Sequence, residues 1–192
     1  VRVEYELTGS LGISSYSLML GPSLGGMRVL EWMLRYPEAV RGGLVLGSTA
    51  AVSAEEIGIH ATQIIAIELD PHFNNGDYYE SAIGPVAGMG LARRIAHLSY
   101  RSERELDLRF GRNLQGTDLP TEGGVFAVES YLDHHADKLA RRFDANTYIA
   151  LTRAMTLFDL GEGRGGAAKA LGTITAPLTV VGIDSDRLFP LR

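Results

Sequence analysis

The sequence predicts an α/β protein: a mostly parallel sheet with flanking helices, carrying a helical insertion that reads as a lid. Three observations carry this. Short apolar runs bounded by glycine or proline recur at Tyr16-Ser17-Leu18-Met19-Leu20, Leu44-Val45-Leu46 and Leu178-Thr179-Val180-Val181. Runs of that length between helical segments favour a parallel sheet covered on both faces. The first of them is followed by Gly21-Pro22-Ser23-Leu24-Gly25 and then by a helical pattern. Finally, the long stretch between Leu46 and Leu178 reads almost wholly as helix.

Taken in order, Val1, Val3, Tyr5 and Leu7 alternate with Arg2, Glu4 and Glu6, which predicts a strand with one wet face. Residues 17–21 predict a second, more buried strand. The following helix places Met27, Leu30, Met33 and Leu34 on one face and stops before Pro37. Leu44–Leu46 is the third strand and Leu178–Val181 the fourth. In the insertion, Ser53-Ala54-Glu55-Glu56 and Ser102-Glu103-Arg104-Glu105 are capping boxes. Stripes at helical spacing are expected at Ile57, Ile64 and Ile65, at Leu91, Ile95 and Leu98, at Val128, Tyr131, Leu132 and Leu139, and at Tyr148, Leu151 and Met155. The glycine-rich run Gly161–Gly166 returns the chain to the sheet. The expected division is a core of 1–50 with 166–192 and a lid of 51–165.

The bulk numbers exclude several classes. The net charge of −5 comes with no long basic stretch, so no nucleic-acid partner is expected. The chain has no cysteine, which removes disulfides, thiolate metal sites and cysteine nucleophiles. No apolar run approaches a membrane span and no signal-peptide pattern opens the chain, so a cytoplasmic protein without a membrane partner is the expectation.

Strand, G-x-S-x-G and helix in that order are what a nucleophile elbow requires. A sharp turn lifts the Ser23 hydroxyl out of the backbone, and the flanking glycines let strand and helix approach. Such a serine needs a base, and the base an orienting carboxylate. Asp186, just past the fourth strand, suits the carboxylate; Asp184 is its rival, and a plain turn over Ile183–Asp186 is the bland alternative. The base is the difficulty. Arg187 to Arg192 contain no histidine, and the five present, His60, His72, His97, His134 and His135, all fall in the insertion. His97 and His134 read as surface or lid residues. His72 with Asp70 lacks a second histidine at ligand spacing, so no metal site is expected.

The run Gly21-Pro22-Ser23-Leu24-Gly25-Gly26-Met27-Arg28-Val29-Leu30-Glu31-Trp32 resembles the elbow of homoserine O-acetyltransferases, acyltransferases of the α/β-hydrolase superfamily. The likeness continues through Ala66–Pro71, Gly76-Asp77-Tyr78, Leu91-Ala92-Arg93, Tyr100-Arg101-Ser102, Val128–Leu132, Arg142–Tyr148 and Gly182–Pro190. It implies an α/β-hydrolase fold with a helical lid, Ser23 as nucleophile, Asp186 as triad carboxylate and the Leu24 N–H as an oxyanion donor. It also implies Arg93 as the substrate arginine, a role that a guanidinium fork suits for the α-carboxylate of homoserine; without the resemblance, a solvated helix face beside Arg94 would be the simpler reading. Acetyl-CoA is the implied co-substrate and L-homoserine the acceptor, with no permanently bound cofactor, no metal, and a homodimer formed through the lid. Methionine biosynthesis is the implied setting.

Pro22 stands where the family commonly has glycine, and Leu24 where methionine is commoner. Relatives that transfer succinyl also carry leucine there, so succinyl transfer, or transfer to serine or another alcohol, is the alternative on the same scaffold. A catalytically inactive α/β-hydrolase-like chain is the alternative from a different class. The family places its histidine downstream of the residue matching Arg192, and several strands between segments matching Gly9 and Gly12. The resemblance thus implies a partial fold, with a long segment missing near 9–12 and another after 192.

Overall fold

The structure, a computed structural model, describes residues 1–191. They divide into two compact units: Val1–Ser53 together with the chain from Leu157 onward, and Ala54–Thr156.

The first unit is built on a parallel sheet of β1 (Met19–Pro22), β2 (Gly43–Leu46) and β3 (Leu178–Val181), in the order β1-β2-β3. Its register aligns Gly21 with Val45 and Val180. Helix α1 (Arg2–Ser10) precedes the sheet, and α2 (Leu24–Arg35) links β1 to β2. As the sequence pattern requires, α2 buries Met27, Leu30 and Met33, and adds Val29 and Trp32. Of these, Val29, Leu30, Trp32 and Met33 pack with Val40, Val45 and Leu160 in one core. After the glycine-rich return, a short helix absent from the sequence reading, α8, covers Ala167–Leu171.

The expected first strand is instead α1. Alternation at Val1, Val3, Tyr5 and Leu7 also contains a helical stripe, and the stripe wins because it meets an aromatic partner. Tyr5 stacks on Tyr36 with centroids 3.8 Å apart and meets Trp32 edge-on at 5.8 Å. Trp32 Nε1–H donates to the Glu4 carboxylate at 3.0 Å, which also pairs with Arg28. Thr8, one helical turn beyond Glu4, is buried, whereas Val3 and Leu7 of the expected strand face are exposed. The second strand is displaced by two residues at its start, to Met19.

The second unit contains α3 (Ala54–Glu68), α4 (Val86–Ser99), α5 (Glu103–Arg109), α6 (Ala127–Ala140) and α7 (Ala145–Thr156), with a 3-10 turn at Pro71–Gly76. The second capping box is half formed: Glu105 N–H donates to Ser102 Oγ at 3.2 Å. Helix α6 buries Tyr131, Leu132 and Leu139 as expected. Three other helices turn different faces inward. Helix α3 buries Glu56, His60, Gln63 and Ile67 and exposes Ile57 and Ile65. Helix α4 buries Gly88, Met89, Ala92 and Ala96 and exposes Leu91 and Leu98. Helix α7 buries Ala145, Ile149 and Thr152 while Leu151 is exposed.

The cause is close helix approach over small residues. A Cβ on Gly88 would stand 2.6 Å from the Ala66 carbonyl oxygen and 2.9 Å from Asp70 Cβ. A contact that tight has no room for leucine, so the larger side chains of α4 point elsewhere. Two of the polar groups that α3 buries are hydrogen-bonded: His60 Nδ1 with Thr156 Oγ1 at 2.9 Å, and Gln63 Oε1 accepting from the Tyr148 hydroxyl at 2.6 Å. Burial lowers the His60 pKa and raises that of Tyr148. Among the described residues no helix is long and apolar enough to cross a membrane.

Candidate functional site

Ser23 is the hinge between β1 and α2. Its backbone sits at φ 51° and ψ −126°, a conformation a non-glycine residue rarely adopts and that costs on the order of 1–3 kcal/mol. The surroundings hold it there. Ser23 N–H donates to the Leu46 carbonyl at the end of β2, at 3.0 Å. The Ser23 carbonyl accepts from Gly26 N–H at 2.8 Å and from the Ser48 hydroxyl at 2.7 Å. Of the two flanking glycines, close approach requires Gly21, where a Cβ would fall on the Gly25 carbonyl, but not Gly25, where it would meet only Pro22 Cδ at 3.4 Å. The next residue, Gly26, is also required, since its Cβ would stand 2.6 Å from Ser48 Cβ and 2.9 Å from Val45 Cγ1. The helix therefore lies directly against the strands, and Ser23 is thrust forward at their carboxyl ends.

Leu24 is the first residue of α2. The Gly26 and Met27 amides turn back onto the Ser23 carbonyl, whereas the Leu24 N–H precedes them at the helix N-terminus, where amides lack intrahelical acceptors. An N–H next to the serine at a helix start is suited to a negatively charged oxygen.

Asp186 lies five residues past the end of β3. Its Oδ1 accepts from Leu188 N–H at 2.8 Å and Phe189 N–H at 3.0 Å, which fixes the carboxylate. Its Oδ2 faces Gly47, where an added Cβ would be 3.7 Å away. Asp186 is half-buried and Asp184 exposed. Ser23, Gly47 and Asp186 thus follow β1, β2 and β3 at one end of the sheet, the end where open parallel sheets bind ligands. No histidine lies in this unit; all five belong to the second.

In the second unit, Arg93 is half-buried on α4, its guanidinium carbon 5.6 Å from the Tyr100 ring centroid and its Nε buried without an acceptor. Burial, with Arg93, His135 and Arg101 nearby, lowers the pKa of His97 to about 4, so the ring is neutral at physiological pH. Of the two readings, surface or lid residue, His97 departs from the first: it is buried within the helical unit. Its Nδ1 is 2.9 Å from the Tyr131 hydroxyl and its ring stacks on His135 at 3.9 Å. Sequence reasoning missed this α4–α6 seam. The available signal was the spacing of His135, Lys138 and Arg142, which puts three basic residues on one helical face. Among the described residues no group of three His, Asp or Glu side chains is placed to hold a metal ion.

The profile of the alpha/beta hydrolase fold family matches residues 8–192. A homoserine O-acetyltransferase of Thermobifida fusca (strain YX) is 56% identical over the whole chain, which covers 51% of that relative. The crystal structure of homoserine O-acetyltransferase from Bacillus anthracis superposes with a TM-score of 0.89 at 25% identity, over 100% of this chain and 51% of that one. An acetylester hydrolase from Corynebacterium glutamicum superposes with a TM-score of 0.78 at 26% identity, over 96% of this chain and 50% of that one. The chain spans about half the length of the curated relatives it matches.

Proposed function

Because the chain belongs to the alpha/beta hydrolase fold family, we propose that Ser23 is the nucleophile of an acyltransferase that moves an acetyl group from acetyl-CoA to the side-chain hydroxyl of L-homoserine. The observation that carries this reading is the strained Ser23 backbone, clamped between the Leu46 carbonyl and the Ser48 hydroxyl. Strain of this kind persists only where the surroundings enforce it, and its effect here is to present one hydroxyl. The similarity to homoserine O-acetyltransferases over the whole chain supports the choice of substrates.

Ser23 Oγ attacks the thioester carbonyl and its proton passes to a base. The tetrahedral oxyanion takes a hydrogen bond from the Leu24 N–H, an interaction whose loss typically costs ~10²–10³ in rate. The C–S bond breaks, CoA leaves as the thiol carrying a proton, and Ser23 holds the acetyl ester. The homoserine hydroxyl then attacks that ester, gives up its proton, and O-acetylhomoserine departs as Ser23 is regenerated. Asp186, fixed by two amides, serves as the carboxylate that orients the base. Arg93 takes the α-carboxylate of homoserine. No resident cofactor or metal enters these steps. A homodimer through the helical unit, in the cytoplasm, completes the proposal; the exposed Leu91 and Leu98 of α4 support an interface there.

A second reading is an inactive α/β-hydrolase-like chain that binds without turnover. One experiment separates them. The chain is incubated with acetyl-CoA, the Ser23 peptide is examined by mass spectrometry, and thiol release is followed with homoserine or serine as acceptor. Acetylation at Ser23, absent in Ser23→Ala, with release stimulated by homoserine, is the expected result. No adduct and no release selects the second reading, and release unaffected by Ser23→Ala overturns the nucleophile. Succinyl-CoA in place of acetyl-CoA tests the donor.

A further inference from the structure

Helices α4 and α6 enclose a cavity of about 140 Å³ lined by Arg93, His135, Lys138, Leu139 and Arg142. Four of the five side chains are basic and none is acidic. Elsewhere in this unit Arg94 pairs with Asp133, Arg101 and Arg109 with Glu105, and Arg153 with Glu68, while Arg104, Arg112 and Arg141 do not line this cavity. Arg93, Lys138 and Arg142 form no ion pair among the described residues. Cations near a helix C-terminus are favoured by the helix dipole, which accounts for Lys138 in the last turn of α6. It does not account for Arg93, which reaches the same cavity from the middle of α4.

Among the described residues, Arg93 Nε and, next to the cavity, His97 Nε2 are buried without hydrogen-bond partners, although buried polar groups are almost always paired. His97 stacks on His135, which lines the cavity. The His135 pKa is lowered first by burial and then by the positive charges of its neighbours His134, Arg93, Lys138 and Arg101.

We propose that this seam is a phosphate-binding site. Lys138 and Arg142 add two full positive charges beside Arg93, the residue assigned above to the homoserine carboxylate, and that excess over one carboxylate suits a phosphate dianion, whose oxygens arginine forks match. The volume is well below the ~300–1,000 Å³ of pockets that bury a drug-sized ligand, so the site takes a phosphate group and leaves the remainder of its carrier outside. That group comes from the phosphomonoester of a CoA thioester or from free phosphate. The CoA source rests on the acyl-CoA reading above; the phosphate site does not.

The test follows the His135 imidazole by NMR in the intact chain during titration with inorganic phosphate, acetate, CoA and 3′-dephospho-CoA. Phosphate shifts His135 and raises its pKa, acetate does so only weakly, and Lys138→Ala with Arg142→Ala weakens phosphate binding roughly tenfold or more. CoA binding more tightly than 3′-dephospho-CoA identifies the carrier as the CoA phosphomonoester. Phosphate binding without discrimination between the two identifies free phosphate, and it keeps the site even where acyl transfer fails. The proposal is overturned if neither phosphate nor CoA moves His135, if acetate binds as well as phosphate, or if the double variant, with an unchanged fold by circular dichroism, binds phosphate like the parent.

Discussion

The elbow of the first unit and the α3–α4 contact of the second are both places where backbone approaches backbone, yet they relate to their sequences in opposite ways. At the elbow, Gly21 opens a motif whose purpose is the approach itself and Gly26 directly follows it, and the residues around them bury the apolar face that hydropathy marks. At the α3–α4 contact, Gly88 admits the Ala66 carbonyl in the first turn of a helix that otherwise reads as an ordinary leucine stripe. The approach there reverses the expected face: small residues go in and leucines come out. A steric requirement is visible in a sequence when it is packaged with its chemistry, and hidden when it is set by a neighbour distant in the chain.

The largest expected effect lies at the elbow. Gly21→Ala puts a methyl group onto the Gly25 carbonyl, with the Gly26 nitrogen 2.7 Å away, and both are backbone atoms of a hydrogen-bonded turn. Since no side chain can rotate aside, the cost belongs at the upper end of overpacking, about 3 kcal/mol. Urea unfolding of the variant measures it. A loss under about 1 kcal/mol would show that the elbow is not rigid, and would remove the basis for a strained Ser23.

A smaller effect is expected where the second unit secures its close contact. The Asp70 carboxylate accepts from Gly88 N–H at 2.8 Å and from His72 N–H at 2.9 Å, and so fastens the end of α3 to the start of α4. Burial raises the Asp70 pKa, but the hydrogen bonds from Gly88 and His72 outweigh it and the net shift is downward. The sign follows: the stabilisation is complete above the ordinary carboxyl value of 3.8 and fades as the pH falls through the lower folded value. Asp70→Ala strands the Gly88 amide and is expected to cost about 1–3 kcal/mol at neutral pH. It also removes this contribution to the acid-side decline. Hydrogen exchange at Gly88 in parent and variant checks both points, and an identical acid profile would show that Asp70 does not hold this contact.

Much of the site was legible because its parts are local. Strand, G-x-S-x-G and helix are contiguous, and Asp186 follows an apolar run that can only be a strand. What the sequence did not disclose depends on partners far along the chain. Val1–Leu7 alternates like a strand, but Tyr36 and Trp32, met only after folding, turn it into α1. His60 and Gln63 look like solvent-facing residues of α3 until Thr156 and Tyr148 supply their hydrogen bonds. The seam of Arg93, His135, Lys138 and Arg142 needs two helices in contact before its charge becomes a cavity rather than a solvated face.

The smallest effect is the most discriminating for the comparison. Hydropathy assigns Leu91 to the core of α4, and a core leucine replaced by a polar residue would cost several kcal/mol. In the folded chain Leu91 is 50% exposed, whereas its neighbour Ala92 is fully buried. Leu91→Gln is therefore expected to change the unfolding free energy by no more than about 0.5 kcal/mol, measured at protein concentrations too low for association. Ala92→Leu, which adds apolar surface and would be harmless on an exposed face, is expected to lose about 1–3 kcal/mol by overpacking. The two substitutions make opposite demands on the helix face, so loss of fold shared equally between them cannot be explained by helix propensity, for which Gln, Leu and Ala are all favourable. Were Leu91→Gln the costlier of the two, α4 would have to bury the face that hydropathy marks, and the contact over Gly88 would have to open.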